Sequence, residues 1–488
     1  MSVQIFLQAK LLGIEEFLAA PAPAGIEGSD AEALFIGRSQ WVTLLAEVLP
    51  RALLAELGLA RILLGTSGGG QFLVVLPDEA RGRGHEFLVT AGAGIRRMSA
   101  GRLRLVWALT ENLGDWSDVR KRLTEEMRRL RGAPAAAPGP ETFEPAATSE
   151  AEAGEFFMAL ARGLREAATV GWSPEAPAEP VLDGGKHNWS LTAHQEGIAL
   201  ARHAAPSDDS RSTADAPTLA GRAAGRPAWG VLRGDVDNFG IRIRRTQSIE
   251  EHLQLSIVYK QFFAGELEVL CSMPEFWRRL VILYSGGDDF AVYGAWDALI
   301  ALGREIQRLF RRFAEEHLKD FPGPEGKTVS MALALARRPD TPIESVYSEA
   351  GRLLEQVKSS GKDCFHLFGR TLEWKHLADA ADIKDTMTRM IGEFGCPPQI
   401  LDELGGFYRE TPWAPDRAPG ARGKEDRFDK PWRFHWRINR MVGATRDREL
   451  QKLRASLVSD LVGKSAAQWR LRPSGRVALE WARMRTEV

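Results

Sequence analysis

The sequence predicts an α/β (α+β) protein with two ferredoxin-like palm domains of the polymerase and cyclase type, a small linker domain and a C-terminal helical domain. Three observations support this fold class. The stretch SGGGQF at 67–72 recurs as SGGDDF at 285–290. Around both copies the apolar pattern follows the order strand, helix, hairpin, helix, strand. Helices that alternate with antiparallel hairpins are typical of a ferredoxin-like sandwich.

The first copy occupies residues 1–130 and the second occupies residues 229–372. In the first copy we expect a strand at Val3–Leu7, helices around Gln40–Leu57 and a strand pair across RILLGTSGGGQFLVVLP. The elements expected in the second copy are the strand WGVLRGDVD, the helix Ile249–Leu270, the hairpin RLVILYSGGDDFAVYGA, the helix Trp296–His317, the strand TVSMALALA, the helix Ile343–Lys358 and the strand DCFHLFG.

Two segments rich in Ala, Pro, Gly and Ser separate the copies. Arg131–Glu155 and Ala205–Ala228 contain few large apolar side chains, so we expect linkers there, with a small helical piece between them. Residues 131–228 are therefore the predicted linker domain, and residues 373–488 are the predicted basic helical C-terminal domain. Residues 411–488 carry 18 Lys or Arg against 9 Asp or Glu, which indicates a polyanionic or acidic partner, or simply a solvated basic face.

The composition excludes several classes of protein. The chain has 488 residues, is 44% hydrophobic and carries a net charge of −1, as expected for a soluble globular protein of several domains. Its three cysteines, Cys271, Cys364 and Cys396, share no CxxC spacing, so neither a disulfide framework nor a zinc ribbon is predicted. No run of about 18 apolar residues occurs, so we expect a cytoplasmic protein without membrane contact.

Acidic residues follow two strands of the second copy. Asp235 ends an apolar strand, and Asp288 and Asp289 lie in a glycine-rich hairpin turn. Neighbouring strands of a ferredoxin-like sheet would bring these three carboxylates together, and divalent cations are the usual way to keep clustered carboxylates ionised. We therefore predict two Mg²⁺ or Mn²⁺ ions that support nucleotidyl transfer. Asp237 either joins the metal site or caps the following turn.

Glycines and lysines near the acids suggest a phosphate site. Gly286 and Gly287 let backbone N–H groups approach phosphates without interference from a Cβ atom. Lys358 ends a predicted helix and Lys362 follows it, within expected reach of a bound triphosphate. The structural alternatives are a plain hairpin turn, which favours Gly and Asp in any case, and lysines placed by the helix dipole.

At these residues the sequence resembles a known family. GDVDNFG, LVILYSGGDDFAVYGAWDALI and VSMALALARRPDTPIESVYSEAGRLLEQVKSSGKD are similar to the second palm domain of Cas10, the large subunit of type III CRISPR effector complexes, in its Csm form. LLGIEEFL, LFIGRSQWVTLLAEVLPRALLAELGL and GTSGGGQFLVVLP resemble the degenerate first palm of the same family. The resemblance covers most of residues 1–380.

The resemblance implies synthesis of cyclic oligoadenylates from ATP when the complex binds target RNA. It implies other type III effector subunits, guide RNA and target RNA as partners, and no homo-oligomer of the isolated chain. The roles it implies are metal ligation for Asp235, Asp288 and Asp289, the nucleotide-binding turn for Ser285, Gly286 and Gly287, and triphosphate contact for Lys358 and Lys362. The first palm carries Lys10, Gly70 and Gln71 at the acidic positions, so it would supply only the second face of an ATP pocket.

Two departures from the family pattern lead to further expectations. Many relatives begin with an HD-type nuclease domain, but the chain begins with palm sequence and contains no His-Asp dipeptide, so we expect no HD nuclease activity. Relatives commonly carry a cysteine-rich zinc element between the palms, whereas residues 156–204 contain no cysteine. We therefore expect no zinc site in the linker domain.

Two alternative functions remain open on the sequence alone. One is a freestanding GGDEF-type enzyme that makes cyclic dinucleotides from GTP, although the turn ends in Asp289 rather than glutamate. The other is a catalytically silent structural subunit of a guide-RNA complex. The intact acidic set disfavours that alternative, because the first copy shows the result of acid loss, with Gly70 and Gln71 in place of the acids.

Overall fold

The computed structural model describes residues 4–132, 150–191, 197–209, 212–410, 436–440, 447–465 and 468–487. It is a mixed α/β structure with two four-stranded palm arrangements, so the predicted fold class is confirmed. Within these residues, no helix is both long enough and apolar enough to cross a membrane.

The first palm is a four-stranded antiparallel sheet with helices on its faces. Its strand order is β2-β3-β1-β4, the order of a ferredoxin-like domain. Its elements are β1 (Gln4–Leu12), α1 (Ile14–Leu18), α2 (Gly28–Glu56), β2 (Leu64–Gly68), β3 (Gln71–Pro77), α3 (Arg81–Met98), β4 (Arg104–Glu111) and α4 (Trp116–Gly132). The central strand β1 is longer than the sequence predicted, because it pairs with β3 and β4 along its whole length.

The segment between the palms was expected to be mostly helical, and it also contains strands that the sequence did not predict. Three short strands form a small antiparallel sheet of order β6-β5-β7. The elements are α5 (Glu150–Gly163), β5 (Thr169–Trp172), β6 (Val181–Leu182), β7 (His187–Ser190) and α6 (Ala216–Gly221). Strands of two to four residues are too short to show the alternation by which strands are recognised in a sequence.

The described part of Ala205–Ala228 is a packed segment rather than a linker. Ala205, Ala216 and Leu219 are buried, and the Ala205 backbone N–H donates to Leu280 O at 3.0 Å. Asp215 caps α6 by accepting a hydrogen bond from the Thr218 backbone N–H at 3.0 Å. Small alanine side chains let the backbone approach the second sheet closely, so a core forms here with few large apolar residues.

The second palm repeats the first and extends it. Its strand order is β13-β12-β11-β8-β10-β9, and the run β11-β8-β10-β9 reproduces the first palm's β4-β1-β3-β2, which confirms the duplication. Its elements are β8 (Trp229–Val236), α7 (Phe239–Arg244), α8 (Ile249–Gln261), α9 (Leu267–Ser272), β9 (Leu280–Ser285), β10 (Asp289–Ala295), α10 (Trp296–His317), β11 (Val329–Leu335), α11 (Ile343–Ser360), β12 (Cys364–Leu367) and β13 (Arg370–Glu373).

One predicted helix of the second palm is interrupted. A π-helical turn at Phe262–Glu266 separates α8 from α9, where the sequence predicted one continuous helix. The wider turn lets the successive residues Phe262 and Phe263 both enter the core.

The C-terminal region is mainly helical and packs against the second palm. Its buried residues share one core with that palm, including Leu377, Leu457 and Val477. The named elements are α12 (Trp374–Gly392), α13 (Gln399–Glu410), α14 (Arg448–Leu461), the hairpin β14 (Val462–Ser465) and β15 (Gln468–Leu471), and α15 (Pro473–Thr486). Much of the basic stretch at 411–446 lies outside the described residues.

The two palms meet through their helices and hairpins. Helix α2 of the first palm lies on β9 of the second, and α8 of the second palm lies on β2 of the first. Buried residues of both palms belong to one continuous core that includes Leu45, Val74 and Leu283. This reciprocal docking brings the two glycine-rich turns to the same interface.

Candidate active site

The three predicted acids lie together at one end of the second sheet. Asp235 on β8 is directly opposite Asp289 on β10 in the antiparallel register. Asp288 comes just before β10, and its carbonyl oxygen accepts a hydrogen bond from the Val236 backbone N–H at 2.9 Å. Side chains of directly paired residues lie on the same face of a sheet within contact distance. The expected convergence of the acids is therefore present.

Crowding and burial make ionisation of these carboxyl groups unfavourable. Burial is the main cause that raises the pKa of Asp235 to about 6; Lys358 opposes the shift, and the neighbouring Asp289 adds to it. Burial, followed by repulsion from Asp289 and Asp235, raises the pKa of Asp288 well above its ordinary value. Burial also raises the pKa of Asp289, despite the nearby Arg233. The site therefore has more acidic groups than its local positive charges can balance.

The predicted lysines lie at two different places. Lys358 Nζ is 2.6 Å from Asp235 Oδ1, so this lysine belongs to the acidic site. Lys362 instead donates to the side-chain oxygen of Asn238, in the turn that follows β8. Lys362 and Asp363 both adopt a left-handed backbone conformation, which turns the chain sharply after α11. Their expected contact with a triphosphate stays a prediction.

Asp237 is engaged in hydrogen bonds that hold the sheet and turn together. Its side chain accepts from Thr328 Oγ1 and Ser330 Oγ, both at 2.7 Å, and from the Asp363 backbone N–H at 2.9 Å. Asp237 is only 2% exposed. Three donors already satisfy both of its oxygens, so the structure favours a structural role over the predicted metal role.

Carboxyl groups are suitable ligands for divalent cations, but these side chains are not arranged as a complete set of metal ligands. Carboxylate oxygens are the ligands that Mg²⁺ prefers, and the raised pKa values show a local excess of acidic groups. Within the described residues, however, no group of three or more His, Cys, Asp or Glu side chains is arranged so that it could hold a metal ion. The Lys358 ammonium lies at Asp235 instead.

The acidic turn depends on its first glycine. The Gly286 backbone N–H donates to Asp289 O at 2.7 Å, which closes the hairpin. A Cβ atom on Gly286 would lie 2.0 Å from Asp289 Oδ1, whereas a Cβ atom on Gly287 would meet open space. Ser285 Oγ is buried and has no hydrogen-bond partner among the described residues.

The two glycine turns face each other across the palm interface. A Cβ atom on Gly68 or on Gly69 would lie 3.9 Å from the Gly287 backbone nitrogen. A cavity of about 490 Å³ opens beside the turns, and its walls include Ser285, Gly286, Asp289 and Gly70. This volume is within the range of small-molecule sites. An adjoining cavity of about 440 Å³ reaches Asp235 and also touches Asp289.

The first palm presents non-acidic residues in the same register. Lys10 on β1 is directly opposite Gln71 on β3, as Asp235 is opposite Asp289 in the second palm. The expected correspondence of these positions is confirmed, and this pair has no carboxylate to offer a cation. Burial lowers the pKa of Lys10, whereas attraction to Asp288 and Asp289 acts in the opposite direction. Lys10 therefore lies within electrostatic reach of the acids, a contact that the sequence did not predict.

The sequence analysis also missed a group of residues centred on Arg233. The Arg233 guanidinium donates to Glu15 Oε1 at 2.7 Å and to the Tyr284 hydroxyl at 3.3 Å, and it lies 4.2 Å from the centre of the Tyr347 ring. Glu15 belongs to the first palm, so this contact joins the two palms beside Asp289. The signal was an arginine in an apolar strand, two positions before Asp235 and on the same face.

Comparisons with known proteins agree on one family. Residues 228–366 match the family model described as "Cas10/Cmr2, second palm domain". A Mycobacterium tuberculosis protein named "CRISPR system single-strand-specific deoxyribonuclease Cas10/Csm1 (subtype III-A)" is 31% identical over 179 residues, which cover 32% of this chain and 21% of that protein. An Enterococcus italicus protein of the same name is 29% identical, over 32% of this chain and 20% of that protein. The aligned parts span about a fifth of the length of these relatives.

Solved structures are similar over nearly the whole chain. A Csm1–Csm4 cassette in complex with cA4 has a TM-score of 0.71 at 17% identity, and the match covers 99% of this chain and 70% of that one. Csm1 from T. onnurineus has a TM-score of 0.70 at 16% identity, and the match covers 100% of this chain and 70% of that one. At these identities, the likeness establishes the fold.

Proposed function

Because the chain is a Cas10-type large subunit whose residues 228–366 form the family's second palm domain, we propose that it joins ATP into cyclic oligoadenylates. It would do so within a type III CRISPR effector complex that has bound target RNA. One observation carries the proposal. Asp235 lies directly opposite Asp289, Asp289 lines a cavity of about 490 Å³ and Asp235 lines an adjoining one, and the two glycine turns face each other there. Similar solved structures were determined with ATP and with cA3, which supports adenine nucleotides as ligands of this fold.

The residues of the second palm would perform the transfer. Asp235, Asp288 and Asp289 would hold two Mg²⁺ or Mn²⁺ ions, which would lower the barrier to attack of a 3′-hydroxyl, as it loses its proton, on an α-phosphate, with pyrophosphate as the leaving group. From the acidic turn, Ser285 and Gly286 line the nucleotide cavity. Lys358 carries positive charge beside Asp235 and would contact the triphosphate.

The first palm would bind and orient the second nucleotide. Its turn at Gly68–Gly70 approaches the acidic turn from the opposite side, and Lys10 adds a positive charge close to Asp288. Two nucleotides held in one cavity react as if their local concentration were very high, which is the main contribution of positioning to such a reaction. A degenerate copy can therefore contribute to catalysis without holding cations of its own.

The proposal includes the partners of the complex. Several of the similar solved structures are Csm1–Csm4 assemblies, one of which is described as a subcomplex in the type III-A CRISPR-Csm interference complex. We infer equivalent effector subunits, guide RNA and target RNA as partners of this chain. The excess of Lys and Arg in residues 411–488 is consistent with a nearby polyanion.

Nuclease activity is not part of the proposal. The curated relatives are named single-strand-specific deoxyribonucleases, but the parts aligned with this chain span about a fifth of their length. These 488 residues contain no His-Asp dipeptide. We predict that the chain does not cleave single-stranded DNA by an HD mechanism, and a cleavage assay with labelled DNA and Mn²⁺ tests this.

The decisive experiment identifies the product. The purified assembly, with guide and matching target RNA, is incubated with Mg²⁺ and each nucleoside triphosphate separately, and the products are identified by mass spectrometry. Cyclic adenylates that form only with target RNA would support the proposal. Cyclic di-GMP formed without target RNA would favour the GGDEF-type alternative. Absence of product from a verified, target-bound assembly would favour the structural subunit.

A further inference from the structure

A buried ionic network lies behind the glycine turn of the first palm. Lys260 Nζ donates to Glu47 Oε1 and, at 3.0 Å, to Ser67 Oγ. Ser67 Oγ donates in turn to Glu47 Oε2 at 2.9 Å, which closes a triangle of three side chains. Arg51 Nη1 reaches the same carboxylate at 2.9 Å from one turn further along α2. Glu47 is 2% exposed and the Lys260 side chain is 19% exposed.

The triangle connects the two palms. Glu47 lies on α2 and Ser67 on β2 of the first palm, whereas Lys260 lies on α8 of the second. Burial raises the pKa of Glu47, but attraction to Lys260 and Arg51 leaves it below its ordinary value, so the carboxylate is charged at neutral pH. Separating the palms here would leave a buried charge without its partner, which is strongly unfavourable.

The triangle lies directly against the turn that faces the acids. Glu47 Oε1 is 3.7 Å from the position of a Cβ atom on Gly68, and that position is in turn 3.9 Å from the Gly287 backbone nitrogen. Ser67 immediately precedes Gly68, and its hydroxyl is held by both Glu47 and Lys260. The network therefore fixes the end of β2 relative to the second palm.

The corresponding serine of the other turn is not held in the same way. Ser285 is the counterpart of Ser67 in the repeated hexapeptide and is one of the residues that line the 490 Å³ cavity, but its buried hydroxyl has no hydrogen-bond partner among the described residues. At Ser67, the side chains of Glu47 and Lys260 fill the equivalent position. The two turns thus differ: charged side chains hold the serine hydroxyl of the first turn, whereas the serine hydroxyl of the second turn has no partner among the described residues.

We propose that Glu47, Ser67 and Lys260 form an interdomain clamp that sets the spacing of the two glycine turns. Lys260 is then a positioning residue for the nucleotidyl transfer, a catalytic consequence that rests on the function proposed above. The clamp itself does not depend on that function, because it concerns only how the palms are held. Loss of Lys260 should let the first turn move relative to Gly287 and misalign the two bound nucleotides.

The test measures the spacing of the palms directly. Spin labels are attached through Glu125→Cys on α4 and Arg304→Cys on α10, both exposed positions. The three native cysteines are buried, so labelling is restricted to the introduced sites. Distance distributions are compared in the full chain for the parent, Lys260→Met and Arg51→Met. Arg51→Met is the matched control, because it removes a charge from the same carboxylate without crossing the interface.

The expected result is a broadened or shifted distribution for Lys260→Met and an unchanged one for Arg51→Met. In the RNA-bound assembly, kcat for adenylate synthesis should fall about tenfold or more in Lys260→Met, while KM for ATP changes less than about threefold. If Lys260→Met does not fold, Ser67→Ala is measured by the same criteria, because it removes the hydroxyl that joins the turn to the ion pair.

Two results would overturn the clamp. One is a parent-like distribution in Lys260→Met, and the other is the same broadening in Lys260→Met and Arg51→Met, which would indicate general loss of stability. If the parent assembly makes no product, the proposed function fails, but the distance measurement still decides whether the clamp exists.

Discussion

The substitution Gly286→Ala should disturb the geometry of the acidic turn strongly while it changes the stability of the chain only slightly. A Cβ atom at this position would lie 2.0 Å from Asp289 Oδ1, and contacts below 3.0 Å are essentially never observed for real Cβ atoms. The carboxylate must therefore move by about 1 Å, and a misplacement of that size costs about 100-fold in rate. Because the Asp289 side chain can rotate away from the new methyl group, the free energy of unfolding of the variant should be only about 1 kcal/mol lower than that of the parent.

Gly287→Ala is the matched control, since its Cβ atom would meet nothing within 4 Å. Both variants are assembled with guide and target RNA, and the initial rate of adenylate formation is measured alongside urea unfolding of each chain. We expect Gly286→Ala to be folded and nearly inactive, and Gly287→Ala to resemble the parent. Equal rates in the two variants would show that the position of Asp289 does not limit the reaction, and the assignment of this turn would be wrong.

Three further predictions concern the acids. Asp288→Ala combined with Asp289→Ala should abolish product while the melting temperature stays level or rises, because two repelling groups are removed; loss of complex assembly would instead show a structural turn. Asp237→Ala should lower the free energy of unfolding by about 2–3 kcal/mol, since three hydrogen bonds are lost; unchanged stability with weakened Mg²⁺ affinity would restore its metal role. Without metal, the pKa of about 6 for Asp235, raised from 3.8, makes the folded state bind the proton more tightly than the unfolded state does. Stability should therefore fall by about 2 kcal/mol as pH rises from 4 to 6, relative to Asp235→Asn in urea unfolding with EDTA, and parallel curves would contradict this.

The repeated hexapeptide was sufficient to predict both sheets and the meeting of the acids. A hairpin fixes which residues of its two strands are opposite each other, and the ferredoxin-like order places the first strand beside the second arm of that hairpin. Asp235 opposite Asp289 and Lys10 opposite Gln71 follow from this rule. Local pattern and topology are therefore enough to predict the site within each palm.

Contacts between the palms were not predictable in the same way. Glu15 and Arg233 are 218 positions apart, and Glu47 and Lys260 are 213 apart, so no local period relates them. These pairs form only when the two folded sheets dock against each other, and no periodic pattern in the sequence reports how the sheets dock. The strands β5 to β7 were missed for a different reason: each has only two to four residues, too few to show the alternation of apolar and polar residues by which a strand is recognised.

The loss of acids from the first copy has a physical explanation in this interface. The two turns approach so closely that a Cβ atom on Gly69 would lie 3.9 Å from the Gly287 backbone nitrogen. The pKa of Asp288 is already raised well above its ordinary value by burial and by two neighbouring carboxylates. A second acidic turn would add negative charge to the same cavity, whereas Lys10 adds positive charge there. On the proposed function, one acidic copy opposed by a basic one would allow two triphosphates and three carboxylates to share a site.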